Sequence, residues 1–319
     1  MMLDIPFAVF KNKFRFVGGT RIENSIQNVY VPKSRIPGSP MNETELKKTD
    51  ILPSLNFTYF LNDFTNIRFA YSHSVNRPEI RELASTGFYD FVKYEIVGGN
   101  PNLQRAYIKN TDLRIETFPA NGELFAFSVF QKHISNAIEE ELIHTSTRTR
   151  TWFNSPKATN IGWEIEVRKT LGFIGKYFSN ITITGNYTRI HSSVEFEHVE
   201  GNSENTVRTI KTRPLQGQSP YMINAAIFFR EPQVGTSISI LYNKFGRRLE
   251  AVGFLTADIY EEPRDLIDIA ITQPILETLD AKFTIKNLSD KKRLLTQENR
   301  VYETSYSGKT YSLQISYGL

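Results

Sequence analysis

The chain has 319 residues, of which 40% are hydrophobic and 23% are charged, and this ordinary folded composition excludes a disordered protein. Its formal charge of +4 is small and its basic residues are dispersed, so nucleic-acid binding is not expected. Cysteine is absent, which excludes disulfides, thiol nucleophiles and thiolate metal sites.

Alternation of apolar and polar residues predicts β-strands along the whole chain. A period of two marks an extended segment with one apolar and one polar face. The stretch before Lys11 is interpreted as the tail of a first strand. No apolar run approaches about 18 residues, so no transmembrane helix is predicted. The further strands, about twelve in number, are predicted at 13–31, 51–61, 66–76, 107–118, 123–133, 159–172, 180–192, 220–230, 236–245, 263–273, 279–287 and 310–319.

The segment TNIGWEIEVRKTL shows the alternation most clearly. Ile161, Trp163, Ile165 and Val167 share one face, and Gly162, Glu164, Glu166 and Arg168 share the other. A soluble sheet can place the apolar face on a core, whereas a membrane barrel places it in lipid. This strand alone leaves both possibilities open.

The connections alternate in length and so favour the membrane barrel. The long segments are 32–50, 77–106, 134–158, 192–219, 246–262 and 288–309. The short ones lie near 62–65, 119–122, 173–179, 231–235 and 274–278. In an antiparallel meander this order puts all short turns at one end. It therefore predicts an all-β, antiparallel transmembrane β-barrel with short periplasmic turns and long extracellular loops. The acidic run Glu139–Glu141 is predicted to be a hydrated loop base.

Several motifs follow one another in a fixed order. They are Asn76-Arg77-Pro78, Arg81-Glu82-Leu83, FYDF at 88–91, GNPNL at 99–103, NIGWEIEVRK at 160–169, LQGQSPYMIN at 215–224, EEPRDLIDIA at 261–270 and IKNLSD at 285–290. In this order they resemble TonB-dependent outer-membrane receptors of the Bacteroidetes type, across nearly the whole chain.

The resemblance implies a fold and a function. Such receptors have a barrel of about 22 strands that holds an N-terminal plug, and a TonB box couples them to the inner membrane. Residues 1–319 then correspond to a C-terminal part of the barrel, with plug and TonB box absent. The chain would be a truncated fragment, and it departs from the family by ending on Leu319 instead of an aromatic residue.

The implied function is uptake of a large, scarce nutrient across the outer membrane of a Gram-negative bacterium. Siderophore-bound iron, a vitamin and an oligosaccharide all remain open as the ligand. The implied partners are outer-membrane lipid, TonB and the imported ligand, and no cofactor is expected. Two alternatives remain, a stand-alone twelve-stranded passive channel and a soluble β-rich binding protein.

The candidate functional residues fall into two groups. The candidate ligand-binding residues are Arg77, Phe88, Tyr89, Asp90, Tyr94 and Trp152. The residues predicted to face the lumen are Arg68, Glu164, Glu166 and Arg168. Each ligand-binding candidate has a structural alternative: a lumen carboxylate for Arg77, and loop packing for the aromatic residues. No catalytic or metal-binding motif is present, so neither an enzyme nor a metal site is predicted.

Overall fold

The computed structural model describes residues 2–33, 40–144, 147–200, 207–254 and 256–318. The first elements are β1 (Met2–Val9), β2 (Asn12–Pro32), β3 (Met41–Asn62), β4 (Thr65–Asn76), α1 (Ile80–Leu83), β5 (Gly87–Asp90), β6 (Glu95–Gly98), β7 (Ala106–Thr117), β8 (Leu124–His144) and β9 (Arg148–Thr170). Two 3₁₀ turns follow at Leu171–Phe173 and Lys176–Phe178. The remaining strands are β10 (Ile181–Glu200), β11 (Val207–Arg213), β12 (Tyr221–Arg230), β13 (Ser237–Phe245), β14 (Arg248–Phe254), β15 (Ile259–Glu261), β16 (Arg264–Leu276), β17 (Leu279–Lys286), β18 (Arg293–Gln297), β19 (Arg300–Ser305) and β20 (Thr310–Tyr317). Within these ranges no helix is long and apolar enough to cross a membrane.

Thirteen strands form one antiparallel meander, the wall sheet, in the order β1-β2-β3-β4-β7-β8-β9-β10-β12-β13-β16-β17-β20. Tight turns join its strands at one end, and at the other end the connections range from residues 145–147 between β8 and β9 to residues 77–105 between β4 and β7. As far as the described strands show, β1 pairs only with β2 and β20 only with β17. The predicted all-β antiparallel fold is confirmed.

The pairing register gives the wall sheet one apolar and one polar face. Phe127, Ile165 and Tyr187 are direct cross-strand neighbours on the apolar face. One position along, Ser128, Glu164 and Thr188 are neighbours on the polar face. A one-residue slip would exchange the two faces, so the alternation in the sequence fixes this register.

One aromatic residue lies on the polar face for a local steric reason. Phe130 is the cross-strand partner of Gly162, and a Cβ on that glycine would lie 2.5 Å from Phe130 Cζ. The ring therefore occupies the space that a side chain at position 162 would need. Such an aromatic ring over a glycine fills the gap and holds the register.

Two of the predicted long loops are largely strands. The prediction of long loops at 32–50 and 134–158 was wrong for most of these residues, since β3 begins at Met41 and β8 extends to His144. Strands β2, β3, β8 and β9 have 21, 22, 21 and 23 residues, about twice the 9–11 that cross a bilayer. Their outer parts pack against the long connections, as at Val29 and Leu142, so the apolar alternation of the wall ends although the pairing continues.

The long connections also join into a second sheet, the loop sheet, in the order β5-β6-β9-β8-β14-β15-β18-β19. β6 runs parallel to the outer part of β9, and β14 runs parallel to the outer part of β8. Since β9, β10 and β12 separate β8 from β13 in the wall, β14 reaches β8 only by crossing over these strands. The connection 77–106 packs on the polar face, where Leu83 contacts Val29 and Gln27 Nε2 donates to the Pro78 carbonyl at 2.9 Å.

Candidate functional site

A cleft of about 450 Å³ opens where the loop sheet meets the polar face of the wall. Its lining combines carboxylates, an arginine, a glutamine and a tryptophan. The lining residues are Asn76, Glu82, Ile138, Glu140, Trp152, Gln216, Gly217, Arg248, Leu249 and Glu250. They come from four of the long connections, so the cleft exists only because those connections are joined.

Arg150 on β9 ties one wall of the cleft together. Its guanidinium contacts Glu95 of β6 at 2.6 Å and Glu140 of β8 at 2.6 Å. The side chains of Arg150 and Glu95 are 7% and 1% exposed. Burial opposes the charged form of Arg150, but the hydrogen bond to Glu95 and the charge of Glu140 outweigh it and raise its pKa. Arg150 therefore stays charged and holds β6 against the β8–β9 hairpin.

Glu139 joins the hairpin to the segment after β11. Arg213 donates to both of its carboxylate oxygens, at 2.7 and 2.8 Å, and the Gln216 backbone N–H donates at 2.9 Å. Ser155 also donates to this carboxylate. Glu139 is 1% exposed, so the predicted hydrated loop base at Glu139–Glu141 was wrong. The arginine that compensates this charge lies 74 residues away in the chain, where no local pattern reveals it.

A third cluster closes the far side of the loop sheet. Glu261 is 1% exposed and accepts from Arg248 at 2.6 Å and from Arg293 at 3.2 Å. Arg293 also reaches Glu250 at 2.8 Å. β14, β15 and β18 are therefore linked by charge as well as by backbone pairing.

The structure places Arg77 in a cluster of its own. Its guanidinium contacts Glu23 at 2.8 Å and Asp50 at 3.0 Å, and Arg105 contacts the same aspartate at 2.5 Å. Asp50 is 1% exposed. Arg77 thus serves to neutralise a buried carboxylate, which is the structural alternative given for it from the sequence.

The predicted aromatic cluster lies on the β5–β6 hairpin. Phe88 packs under the guanidinium of Arg81 at 3.9 Å, and Tyr89 is 42% exposed. Asp90 accepts backbone N–H bonds within the turn, which lower its pKa. Tyr94 closes the same turn with a φ of 53° and is 71% exposed. None of these four residues borders the cleft.

Trp152 is the one predicted ligand-binding residue that lines the cleft. It is half-buried against the apolar cluster of Leu83 and Leu103, and its carbonyl accepts from Asn100 at 2.9 Å. Its ring therefore presents one surface to the cleft while the other is fixed by packing.

The four residues predicted to face the lumen all lie on the polar face of the wall. Arg68 contacts Glu116 at 2.7 Å, and Glu166 contacts Arg114 at 2.8 Å. Glu164 accepts from Asn186 at 3.2 Å. Arg168 borders a second depression, of about 520 Å³, on the same face. In the parts of the chain that are described, no three acidic or histidine side chains are placed to hold a metal ion.

The family described as "TonB dependent receptor-like, beta-barrel" matches residues 2–263. This chain belongs to that family. The resemblance found in the sequence is thereby confirmed, and barrels of TonB-dependent receptors lie in the outer membrane of Gram-negative bacteria. Their outward face is apolar and their interior polar, as in the wall sheet. No curated protein sequence matches the chain.

Solved structures of TonB-dependent receptors share the fold. They include a variant ferric enterobactin receptor of Pseudomonas aeruginosa in complex with enterobactin (TM-score 0.59, 14% identity) and the siderophore receptor PirA of Acinetobacter baumannii (0.62, 14%). Both alignments cover 99% of this chain and 53% of the receptor. The ferric-catecholate import receptor Fiu of E. coli K12 has a TM-score of 0.63 at 13% identity, over 95% of this chain and 42% of that receptor. The chain therefore spans about half the length of these receptors.

Sequence reasoning missed the ion pairs that hold the connections around the cleft. Glu95 and Arg150 lie outside the motifs, and Glu261 begins the motif EEPRDLIDIA without any sign of its partner; these pairs span 55 and 32 residues. The signal that the sequence offered for these ion pairs was the presence of charged residues near the ends of strands β6, β9 and β15.

Proposed function

We propose that the chain forms part of an outer-membrane receptor that takes up a large, scarce ligand with the help of TonB. The cleft beneath the loop sheet is then a surface that captures this ligand. The observation that carries the proposal is the joining of the long connections into one sheet over the polar face, with the cleft beneath it. A passive pore has no need of a roof held by buried ion pairs.

The two free edges of the wall sheet bear on the organisation of the receptor. Within lipid an unpaired backbone N–H or C=O costs several kcal/mol. We propose that β1 and β20 pair with further strands, and that residues 1–319 are the C-terminal part of a larger barrel. The lengths of the similar receptors support this proposal.

Siderophore-bound iron is the ligand class that we favour, because the similar structures include siderophore receptors. Vitamins and oligosaccharides remain possible ligands of the same cleft. Trp152 is the side chain proposed to contact the ligand, since an indole ring can stack on a flat ring. Phe88, Tyr89 and Tyr94 are proposed to act earlier, at the exposed tip of the β5–β6 hairpin.

Uptake in a strain without siderophore receptors of its own tests the proposal. The native gene is expressed there, and iron uptake is measured with radiolabelled ferric enterobactin, with and without TonB. We expect the protein in the outer-membrane fraction and uptake that requires TonB. Trp152→Ala is expected to lower uptake, whereas Phe153→Ala, on the opposite face of β9, is not.

Three outcomes would contradict the proposal. Recovery in the supernatant without detergent would indicate a soluble β-rich protein. Solute flux without TonB would indicate a passive channel. Equal loss in both variants would show that the effect of Trp152 is on folding and not on the ligand.

A further inference from the structure

A groove of about 560 Å³ runs along the apolar face of the wall between β7 and β10. Its outward-facing lining is mostly apolar, from Leu113, Val129, Ile161 and Trp163. Trp163 is held in place by Tyr187, whose ring centroid lies 5.3 Å from its own. In an outer-membrane barrel this face meets acyl chains.

Along β10, from the level of Trp163 toward the loop end, the groove continues into a polar cleft of about 360 Å³. Arg189, Ile190 and His191 line both cavities, so the two are contiguous. The polar cleft adds Arg213 and Arg247, and the hydroxyls of Ser193 and Thr212. Its described lining contains three arginines and a histidine and no carboxylate. The site is therefore apolar at one end and cationic at the other.

Arg189 is the residue that this arrangement leaves without an internal role. Arg213 pairs with Glu139, and Arg247 pairs with Glu262 at 2.9 Å. Over the described residues no ion pair or hydrogen bond involves the side chain of Arg189, although it is exposed on the apolar face beside Trp163. An arginine that faces lipid is costly unless its charge meets water or an anionic group at the interface.

We propose that these two cavities together hold one phosphorylated acyl lipid of the outer leaflet, of the lipid A type, with an acyl chain in the groove and a phosphate at Arg189 and His191. The loop end is the extracellular end in a barrel of this family, so the cationic cleft lies at the level of the outer headgroups. Guanidinium groups bind phosphate through paired, charge-assisted hydrogen bonds, and the serine and threonine hydroxyls can donate to further oxygens.

Apart from Arg247, which lies between β13 and β14, the residues named at the site belong to strands β7 to β11, so it does not depend on the edges of the wall or on the imported ligand. It does rest on the proposed outer-membrane location. The lipid measurement is made on purified protein, and its outcome is therefore separable from that of the uptake experiment.

Native mass spectrometry of the purified native gene product in detergent micelles tests the site. The probes are lipid A with two phosphates and the same lipid after dephosphorylation. We expect the phosphorylated lipid to remain bound after detergent removal, and the dephosphorylated lipid to bind roughly tenfold more weakly, since charge-assisted hydrogen bonds are lost. Equal binding of the two probes to the unchanged protein would overturn the proposal without any mutation.

Variants then locate the binding. The double variant Arg189→Gln, His191→Gln is expected to remove the preference for the phosphorylated lipid. Val129→Trp is expected to weaken the binding of both lipid probes, because the indole ring fills the groove. Lys244→Gln is the matched control, because Lys244 is also a basic residue on the apolar face near the loop end but pairs with Asp265 at 3.1 Å. A control that loses binding as strongly as the double variant would show that general surface charge, and not this site, holds the lipid.

Discussion

The wall sheet and the loop sheet are both β-structure, but they are stabilised in different ways. In the wall, large hydrophobic side chains such as Ile165 and Phe283 are 43% and 39% exposed, as in barrels of this family, whose outward face meets lipid instead of a core. In the loop sheet, Leu142, Ala251, Ile259 and Leu295 are at most 4% exposed and form a compact cluster. The loop sheet is therefore packed like a water-soluble domain and lies against the outer end of the wall sheet.

Charge separates the two regions even more clearly. In the wall, a buried carboxylate such as Glu116 pairs with an arginine, Arg68, that is 45% exposed. In the loop sheet both members of a pair can be buried, as Arg150 and Glu95 are at 7% and 1%. A buried pair is costly to break, because the remaining charge has neither water nor a partner. The loop sheet is thus specified by a few long-range pairs, and the wall by a repeated pattern.

The largest expected effect comes from breaking one of these buried pairs. Arg150→Ala leaves Glu95 buried without its counter-ion, and should destabilise the loop sheet by about 3–5 kcal/mol. Hydrogen exchange of the backbone amides of β6 and β9 measures this loss, since exchange reports local free energies of opening. The wall amides of β12 and β13 should keep their protection.

Arg148→Ala is the control for this prediction. Arg148 lies two residues away on β9 but is exposed, and among the described residues its side chain bonds to Tyr302 alone. Arg148→Ala is therefore expected to leave the hydrogen exchange of β6 and β9 nearly unchanged. If both variants destabilise β6 equally, or if the wall opens together with the loop sheet, the two regions are one cooperative unit and the comparison fails.

The next effect is confined to the wall. Gly162→Leu would place a Cβ 2.5 Å from Phe130 Cζ and 2.6 Å from the Arg189 carbonyl oxygen, and the backbone atom cannot move aside easily. Overpacking of this kind costs about 1–3 kcal/mol. The fraction of folded protein, measured by heat-modifiable mobility in SDS gels, should fall.

Gly185→Ala is the matched control on the adjacent strand, β10. A Cβ there would lie 3.4 Å from the Asn224 carbonyl oxygen, close to ordinary contact. It should fold normally. Normal folding of Gly162→Leu would show that Phe130 can leave the glycine freely, and that the ring does not hold the register.

These two regions also differ in how far the sequence predicts them. The alternation of apolar and polar residues over 161–168 was enough to predict the strand and its two faces, because every residue repeats the same information. The loop sheet carries no such repetition. Arg150 with Glu95 and Arg213 with Glu139 are single contacts across 55 and 74 residues, and either arginine could equally have been a solvated surface charge. The family motifs at Arg81–Leu83 and 88–91 predicted a specific loop but not its partners.

A smaller effect is expected from the exposed surface of the loop sheet. The guanidinium of Arg81 lies over the Phe88 ring, and such exposed contacts contribute about 0.5–1 kcal/mol. A double-mutant cycle with Arg81→Ala and Phe88→Ala, measured by hydrogen exchange of β5, should give a coupling of this size. A coupling as large as the destabilisation expected for Arg150→Ala would mean that this exposed contact stabilises the hairpin as strongly as a buried ion pair.

The smallest effect concerns Glu141, a half-buried carboxyl of β8 for which the described structure shows no ion pair. Burial raises the pKa of Glu141 above its usual range, although the charge of Arg213 acts in the opposite direction. A raised pKa means that the folded state binds the proton more tightly, so Glu141 stabilises the loop sheet when protonated and this contribution is lost as the pH rises through the raised pKa.

Glu141→Gln imitates the protonated form. It should slow hydrogen exchange in β8 and β14 at neutral pH and leave it unchanged at acidic pH, where the native side chain is already neutral. Glu45→Gln, at an exposed position of β3, should have no effect at either pH. A difference in exchange between Glu141→Gln and the native protein that does not change with pH would show that the carboxyl is ionised throughout. The loop sheet would then tolerate an unpaired, half-buried charge, contrary to the prediction.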